Sequence, residues 1–307
     1  MARTKSKTPP YLGENLSQIR KLGLQNNIND LEIDGFTIIP PKKVASTQFL
    51  NKMRKTVLRI CHERTGKKFD LNKNGQIGKY KAQPQTDSQF LLYYLLMADP
   101  IFEKWLLNPT LNTMMDYLMK GTQQLSSMTS FIKWQGEGYG ETLGLHSDTR
   151  PSTPEGLIPN SWFDVSNSTY CLTDYTKENG AMAMVPGSHR LYRQPKPGEG
   201  VDKAVPVEAK AGSLVIFNGG IWHGAFPKKT EGLRLNVTSY FCHRKLKTQE
   251  AYQWRVTKEM LDRNPPKFAK LVGADDEYGW DAKGPDYSRP LKYLYSKVFL
   301  NELSLLL

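Results

Sequence analysis

A chain of 307 residues, 39% hydrophobic and 23% charged with a mean hydropathy of −0.54, has the balance of a globular protein with ample material for a buried core. No stretch approaches the ~18 apolar residues of a membrane span. The basic start at residues 1–7 has no apolar segment behind it, so no secretory signal is read and a cytoplasmic location is expected. Three cysteines, Cys61, Cys171 and Cys242, stand at unrelated spacings, which excludes a disulfide framework and a cysteine zinc site. The net charge of +12 is unevenly placed. Residues 1–82 carry 17 Lys/Arg against 6 Asp/Glu, while the remaining 225 carry 25 against 24. No aromatic interleaving and no nucleic-acid motif accompanies that basic quarter. It reads as a solvated surface, and no nucleic-acid partner is expected.

In chain order, residues 1–14 read as a mobile tail, with Pro9, Pro10 and Gly13 discouraging regular structure. Residues 15–124 are expected to be mainly helical. Phe49, Met53, Val57 and Ile60 fall at helical spacing within 44–63, and residues 89–97, apolar nearly all round, read as a buried helix. Asp99-Pro100 opens another helix, and residues 35–39 form a short β-type run stopped by Pro40-Pro41. From 125 to 245 the character changes to short β-rich runs at 128–134, 168–174, 181–185, 204–208, 213–217 and 233–241, separated by Gly- and Pro-containing turns. This is the pattern of an antiparallel sandwich or jelly roll. Residues 246–307 close the chain with a helix at 249–262 and an apolar segment at 291–307, expected to cap the barrel. The whole is expected to be one α+β domain.

Five histidines occur, and two of them point to chemistry. In an extended segment residues i and i+2 share a side, so His146 and Asp148 present an imidazole and a carboxylate to one point. His223 lies 75 residues beyond Asp148, just after the run ending at Phe217. Two histidines and a carboxylate on a β-barrel are the facial ligand set that holds non-haem Fe(II) and leaves opposite positions open. Arg234, 11 residues past His223, alternates with apolar residues and would be a costly buried charge unless an anion meets it. A triad plus an inward guanidinium suits a cosubstrate that chelates iron at one end and offers a carboxylate at the other. His189 reads as a turn stabiliser, His62 and His243 as solvated, and Cys171 and Cys242 as core residues.

Residues 128–243 resemble the phytanoyl-CoA dioxygenase family of Fe(II)/2-oxoglutarate oxygenases. The pieces that carry the resemblance come in order: His146-Ser147-Asp148, the stretch Leu172 to Gly180, Val185-Pro186-Gly187-Ser188-His189, Gly212 to Phe217, Trp222-His223-Gly224-Ala225, and Arg234. The resemblance implies a double-stranded β-helix with helices packed outside. It implies Fe(II) on His146, Asp148 and His223, and 2-oxoglutarate held at its distal carboxylate by Arg234, with O₂ as the oxidant. Thr169 falls where some relatives place a cosubstrate contact. Ala225 stands where some carry serine, which makes Asn236 a candidate for the missing hydrogen bond. Related halogenases have a small residue in place of Asp148, so oxygen insertion or desaturation is implied rather than halogenation.

The expected function is therefore oxidation, most simply hydroxylation, of a C–H bond in a small or medium organic molecule, in a setting such as secondary metabolism. Two rivals stand: a nucleic-acid oxygenase, suggested by the basic quarter, and a barrel that binds metal or ligand without turnover. Substrate contacts are expected from the loop at 150–164 and from the terminal helices. Oligomeric state is not legible.

Overall fold

The computed structural model describes residues 10–76, 86, 88–149, 164–276 and 278–286. The chain divides into two compact units, Met1–Ala251 and Tyr252–Leu307. The first unit opens with helices α1 (Pro10–Lys21) and α2 (Gln25–Ile33), strand β1 (Phe36–Ile39) and the long helix α3 (Thr47–Thr65). Strand β2 (Gln89–Leu92), helices α4 (Pro100–Leu106) and α5 (Pro109–Met119), and strand β3 (Gln123–Lys133) follow. Six strands complete it: β4 (Val165–Cys171), β5 (Met182–Met184), β6 (Val205–Pro206), β7 (Leu214–Asn218), β8 (His223–Ala225) and β9 (Arg234–His243). The second unit holds helices α6 (Lys258–Arg263) and α7 (Pro266–Leu271).

Two antiparallel sheets form the core. The larger has the order β1-β7-β4-β9-β3-β2, the smaller β6-β5-β8. This is the α+β double-stranded β-helix that the strand pattern and the resemblance lead one to expect. Both faces of the larger sheet are buried, and all seven residues of β4 are buried. One face lines a cavity through Asn167 and Thr169 of β4, Thr129 and Phe131 of β3, and Arg234 and Asn236 of β9. The other is covered by helices: Trp105 of α4 stacks on Tyr170 at 4.3 Å between ring centroids and donates its indole N–H to the Ser239 hydroxyl at 3.2 Å. Sheets covered on both sides lose the clean apolar/polar alternation of a half-exposed strand.

Local chemistry sets the helix ends. The Ser46 hydroxyl caps α3 by accepting the Phe49 N–H, and Gly66 ends it in the left-handed region at φ +69°. Asp99 caps α4 with Pro100 in its first turn, as the Asp-Pro pair predicts. Three expectations are corrected. Residues 89–97 are not a helix: Gln89–Leu92 pair with Lys133–Ser130 of β3, and Leu95–Met97 form a single 3₁₀ turn. A short apolar run buried on both faces reads alike as strand or helix, and here the free edge of β3 claims it. Helix α1 begins at Pro10, inside the expected tail, because proline's fixed φ suits a first turn. The helix expected at 249–262 shrinks to Lys258–Arg263, started by the Thr257 side-chain cap on Met260 N–H. Residues 150–163 and 291–307, to which substrate contacts and capping were assigned, lie outside the described residues.

Candidate metal centre

The smaller sheet is extended at one edge by the segment that carries His146. His146 and His223 form an isolated antiparallel bridge, exchanging N–H···O bonds of 3.0 and 2.8 Å. Such direct pairing brings side chains together, and the two imidazole centroids stand 4.4 Å apart. Gly224 makes the approach possible, since a Cβ there would meet the Leu143 carbonyl oxygen at 2.0 Å. Asp148 completes the cluster, its Oδ1 3.9 Å from His146 Nε2 and its Oδ2 3.6 Å from His223 Nε2. One ligand atom from each of the three residues lies within 4.8 Å of the others, a set that can hold a metal ion.

The tautomers follow from the partners. His146 Nδ1 lies 2.8 Å from the Gly144 carbonyl oxygen and His223 Nδ1 3.0 Å from that of Ile221. A carbonyl oxygen accepts only, so each ring proton sits on Nδ1 and each Nε2 keeps its lone pair for a metal. Burial pushes the His223 imidazole below its ordinary pKa. The Asp148 carboxylate opposes that, and His146 adds to it. Asn167 of β4 donates to Asp148 Oδ2 at 2.5 Å, which orients the carboxylate. Gln194 clamps the backbone between the two ligand positions: its Oε1 accepts Ser147 N–H at 2.9 Å and its Nε2 donates to Ser147 O at 2.6 Å. Its neighbour Arg193 is held by Glu199 and by the face of Trp222, whose indole donates to Arg193 O.

On the larger sheet Arg234 is 2% exposed. Its Nη1 donates to the Gly180 carbonyl oxygen at 2.6 Å, its guanidinium stands 4.7 Å from the centre of the Tyr175 ring, and its buried Nε has no partner. An incompletely bonded buried guanidinium facing a cavity is a ready carboxylate receptor. Asn236 accepts Phe131 N–H at its amide oxygen and donates to Tyr175 OH, while the Thr169 hydroxyl faces that of Thr238 at 3.4 Å. All six candidates, His146, Asp148, Thr169, His223, Arg234 and Asn236, line one cavity of about 530 Å³. Tyr93, Tyr94, Tyr139 and Phe217 add aromatic walls, and Phe217 packs on the His223 ring at 4.9 Å.

Sequence reasoning missed Asn167 and Gln194, whose roles arise from contacts 19 and 47 residues distant. No local signal marks either. As expected, Cys171 and Cys242 are buried; burial pushes the Cys171 thiol up to about 12.

A profile of the phytanoyl-CoA dioxygenase (PhyH) family matches residues 31–236. The chain belongs to this family. The family's name and that of its matched relative below are those of dioxygenases. Dioxygenase af480 of Aspergillus fumigatus is 29% identical over 214 residues; the match takes in 67% of this chain and 66% of that relative, just under two-thirds of its length. The structure of HygX from Streptomyces hygroscopicus with nickel and 2-oxoglutarate bound has a TM-score of 0.54 at 16% identity, covering 73% of this chain and 89% of that one. SnoK, a non-heme alpha ketoglutarate dependent carbocyclase from nogalamycin biosynthesis, has a TM-score of 0.55 at 19% identity, covering 79% and 91%. At such identities these structures attest the shared fold. The His146, Asp148 and His223 cluster of the family member described here is compatible with iron.

Proposed function

We propose that this dioxygenase oxidises a C–H bond of a small or medium organic molecule, most simply by hydroxylation, with succinate and CO₂ as co-products. One observation carries the reading: a single cavity joins a His–Asp–His set with free Nε2 lone pairs to a buried arginine whose Nε lacks a partner. In this reading His146, Asp148 and His223 hold Fe(II), and Arg234 receives the distal carboxylate of 2-oxoglutarate. Thr169 and Asn236 are contacts on the cosubstrate wall. When bound, iron and 2-oxoglutarate supply O₂ activation coupled to oxidative decarboxylation.

The protein's part is binding, orientation and exclusion of water. The carbonyl-anchored imidazoles and the Gln194 clamp hold the ligand atoms in place before any ion arrives, which lowers the cost of binding. Asn167 occupies one lone pair of Asp148 Oδ2 and leaves the other oxygen for the metal. Burial and the nearby Asp148 push the Tyr240 phenol up, so it stays neutral in the cavity wall. The cavity's size suits a drug-sized ligand, and its tyrosines and Phe217 suit one with an apolar body. A place in secondary metabolism is in keeping with SnoK and its nogalamycin biosynthesis.

Anaerobic addition of Fe(II) and 2-oxoglutarate tests the reading through the visible charge-transfer band of the chelate. The band is expected in the wild type, absent in His223→Ala and weakened in Arg234→Ala. A folded wild-type protein that develops no band overturns the proposal and favours a binding barrel. Succinate release across a panel of small and medium organic molecules with apolar bodies then finds the substrate.

A further inference from the structure

Arg234 has a second cation beside it, just behind the cavity lining. Lys133 stands opposite it in the β3–β9 register. It lies two residues beyond Phe131, on the strand face that carries Ser127, Thr129 and Phe131 to the cavity. Its side chain is fully buried, and its ammonium donates to the Phe226 carbonyl oxygen at 2.6 Å. A third cation, Lys228, is also buried, but the Asn179 amide oxygen and the Thr230 hydroxyl and carbonyl oxygens occupy its donors. Gly180 marks where the three converge. Its carbonyl oxygen accepts from Arg234, and a Cβ on it would stand 3.2 Å from Lys133 Cε and 2.8 Å from Lys228 Cβ. Among the described residues no carboxylate is bonded to any of the three.

Like charges opposite one another across a ladder, and out of water, persist only where something relieves them. Loss of a proton is one relief. Burial, then Arg234 and Lys228, lower the Lys133 ammonium to about 7. An anion is the other relief. Building on the function proposed above, we infer that Lys133 is a second cation for the distal carboxylate of 2-oxoglutarate, beside Arg234, and takes up a proton as that carboxylate arrives. The step is a protonation alone: the neutral amine binds a proton from solvent, and no other bond changes.

The charged groups around Lys133 agree with this assignment. Arg234 on β9 is a guanidinium cation. Lys228, lowered to about 8, has its donors already filled. Tyr175, packed beneath Arg234, is a buried phenol pushed up and kept neutral. The sign follows: below pH 7 Lys133 is already charged and binding is independent of pH. Above it, binding must draw a proton from solvent, so affinity falls by up to about tenfold per pH unit.

Calorimetry of the anaerobic Fe(II)-loaded protein with 2-oxoglutarate at pH 8, in HEPES and in Tris, reads proton uptake directly from the difference in heats. Uptake close to one proton per site is expected for the wild type, and none for 2-oxobutyrate, which lacks the distal carboxylate. Lys133→Met should bind about tenfold more weakly at pH 7, with no uptake and no slope above it. Lys133→Arg, permanently charged, should lose the slope, and Lys228→Met should keep the uptake. Wild-type binding without proton uptake, or uptake that survives in folded Lys133→Met, overturns the role of Lys133 and leaves the iron and cosubstrate reading intact. No 2-oxoglutarate binding by the folded, iron-loaded wild type overturns both. The wild-type buffer comparison stands even if a variant fails to fold.

Discussion

The two sheets that enclose the cavity are built on different principles. The larger is sealed on both faces, by the cavity on one side and by α3 and α4 on the other, and its contribution, Arg234, is 2% exposed. The smaller is made of strands of two or three residues, and the His146 side chain bridged to its edge is 53% exposed. On the proposed function, a guanidinium that receives a carboxylate away from water gains from a rigid, dry setting, where each charge-assisted bond is worth more. A centre proposed to admit a cation and a substrate needs an open side. Its order comes from backbone bonds and a few polar clamps rather than from bulk packing.

The comparison can be broken from either side. The largest effect is expected at Trp105, on the outer face of the larger sheet. Trp105→Ala removes the Tyr170 stack and the bond to Ser239, and should cost about 3–5 kcal/mol of stability in denaturant unfolding. The folded fraction should still bind Fe(II) as the wild type does. Gly224→Ala attacks the other sheet. Its Cβ would collide with the Leu143 carbonyl and part the two histidines, so Fe(II) affinity by anaerobic calorimetry should fall about 100-fold with the larger sheet intact. Gln194→Ala should be milder, about 10-fold in Fe(II) affinity, because the His146–His223 bridge remains.

A further expected effect is on pH dependence of the metal-free protein. The folded pKa of Lys133, about 7, lies below that of an unfolded lysine, so the unfolded chain binds more protons between the two values. This group therefore makes stability rise as pH rises from about 7 towards 10. Thermal unfolding at pH 7 and pH 9 should show the rise in the wild type and a flatter response in Lys133→Met.

The candidate ligands were legible because histidine is scarce in this chain and because strand geometry places i and i+2 together. Arg234 was legible because a charge inside an apolar alternation demands a reason. Lys133 satisfies the same test, in Phe131-Ile132-Lys133-Trp134, yet its partner across the ladder lies 101 residues away and only the register joins them. Helix α3 and the Asp99-Pro100 start of α4 were readable from spacing and capping chemistry. Strand β2 was not, since four buried residues carry no periodicity of their own.

Composition, spacing and motif order thus point to a sandwich or jelly-roll core, to candidate residues suited to iron and to an arginine that wants an anion, because these depend on side-chain chemistry and on neighbours one or two residues apart. Folding adds what depends on distant partners. It pairs His146 with His223, sets Asn167 and Gln194 against the ligand segment, and gathers Lys133, Lys228 and Arg234 around Gly180. Each of these contacts joins residues far apart in the chain, and a local pattern cannot encode a distance that long-range strand pairing creates.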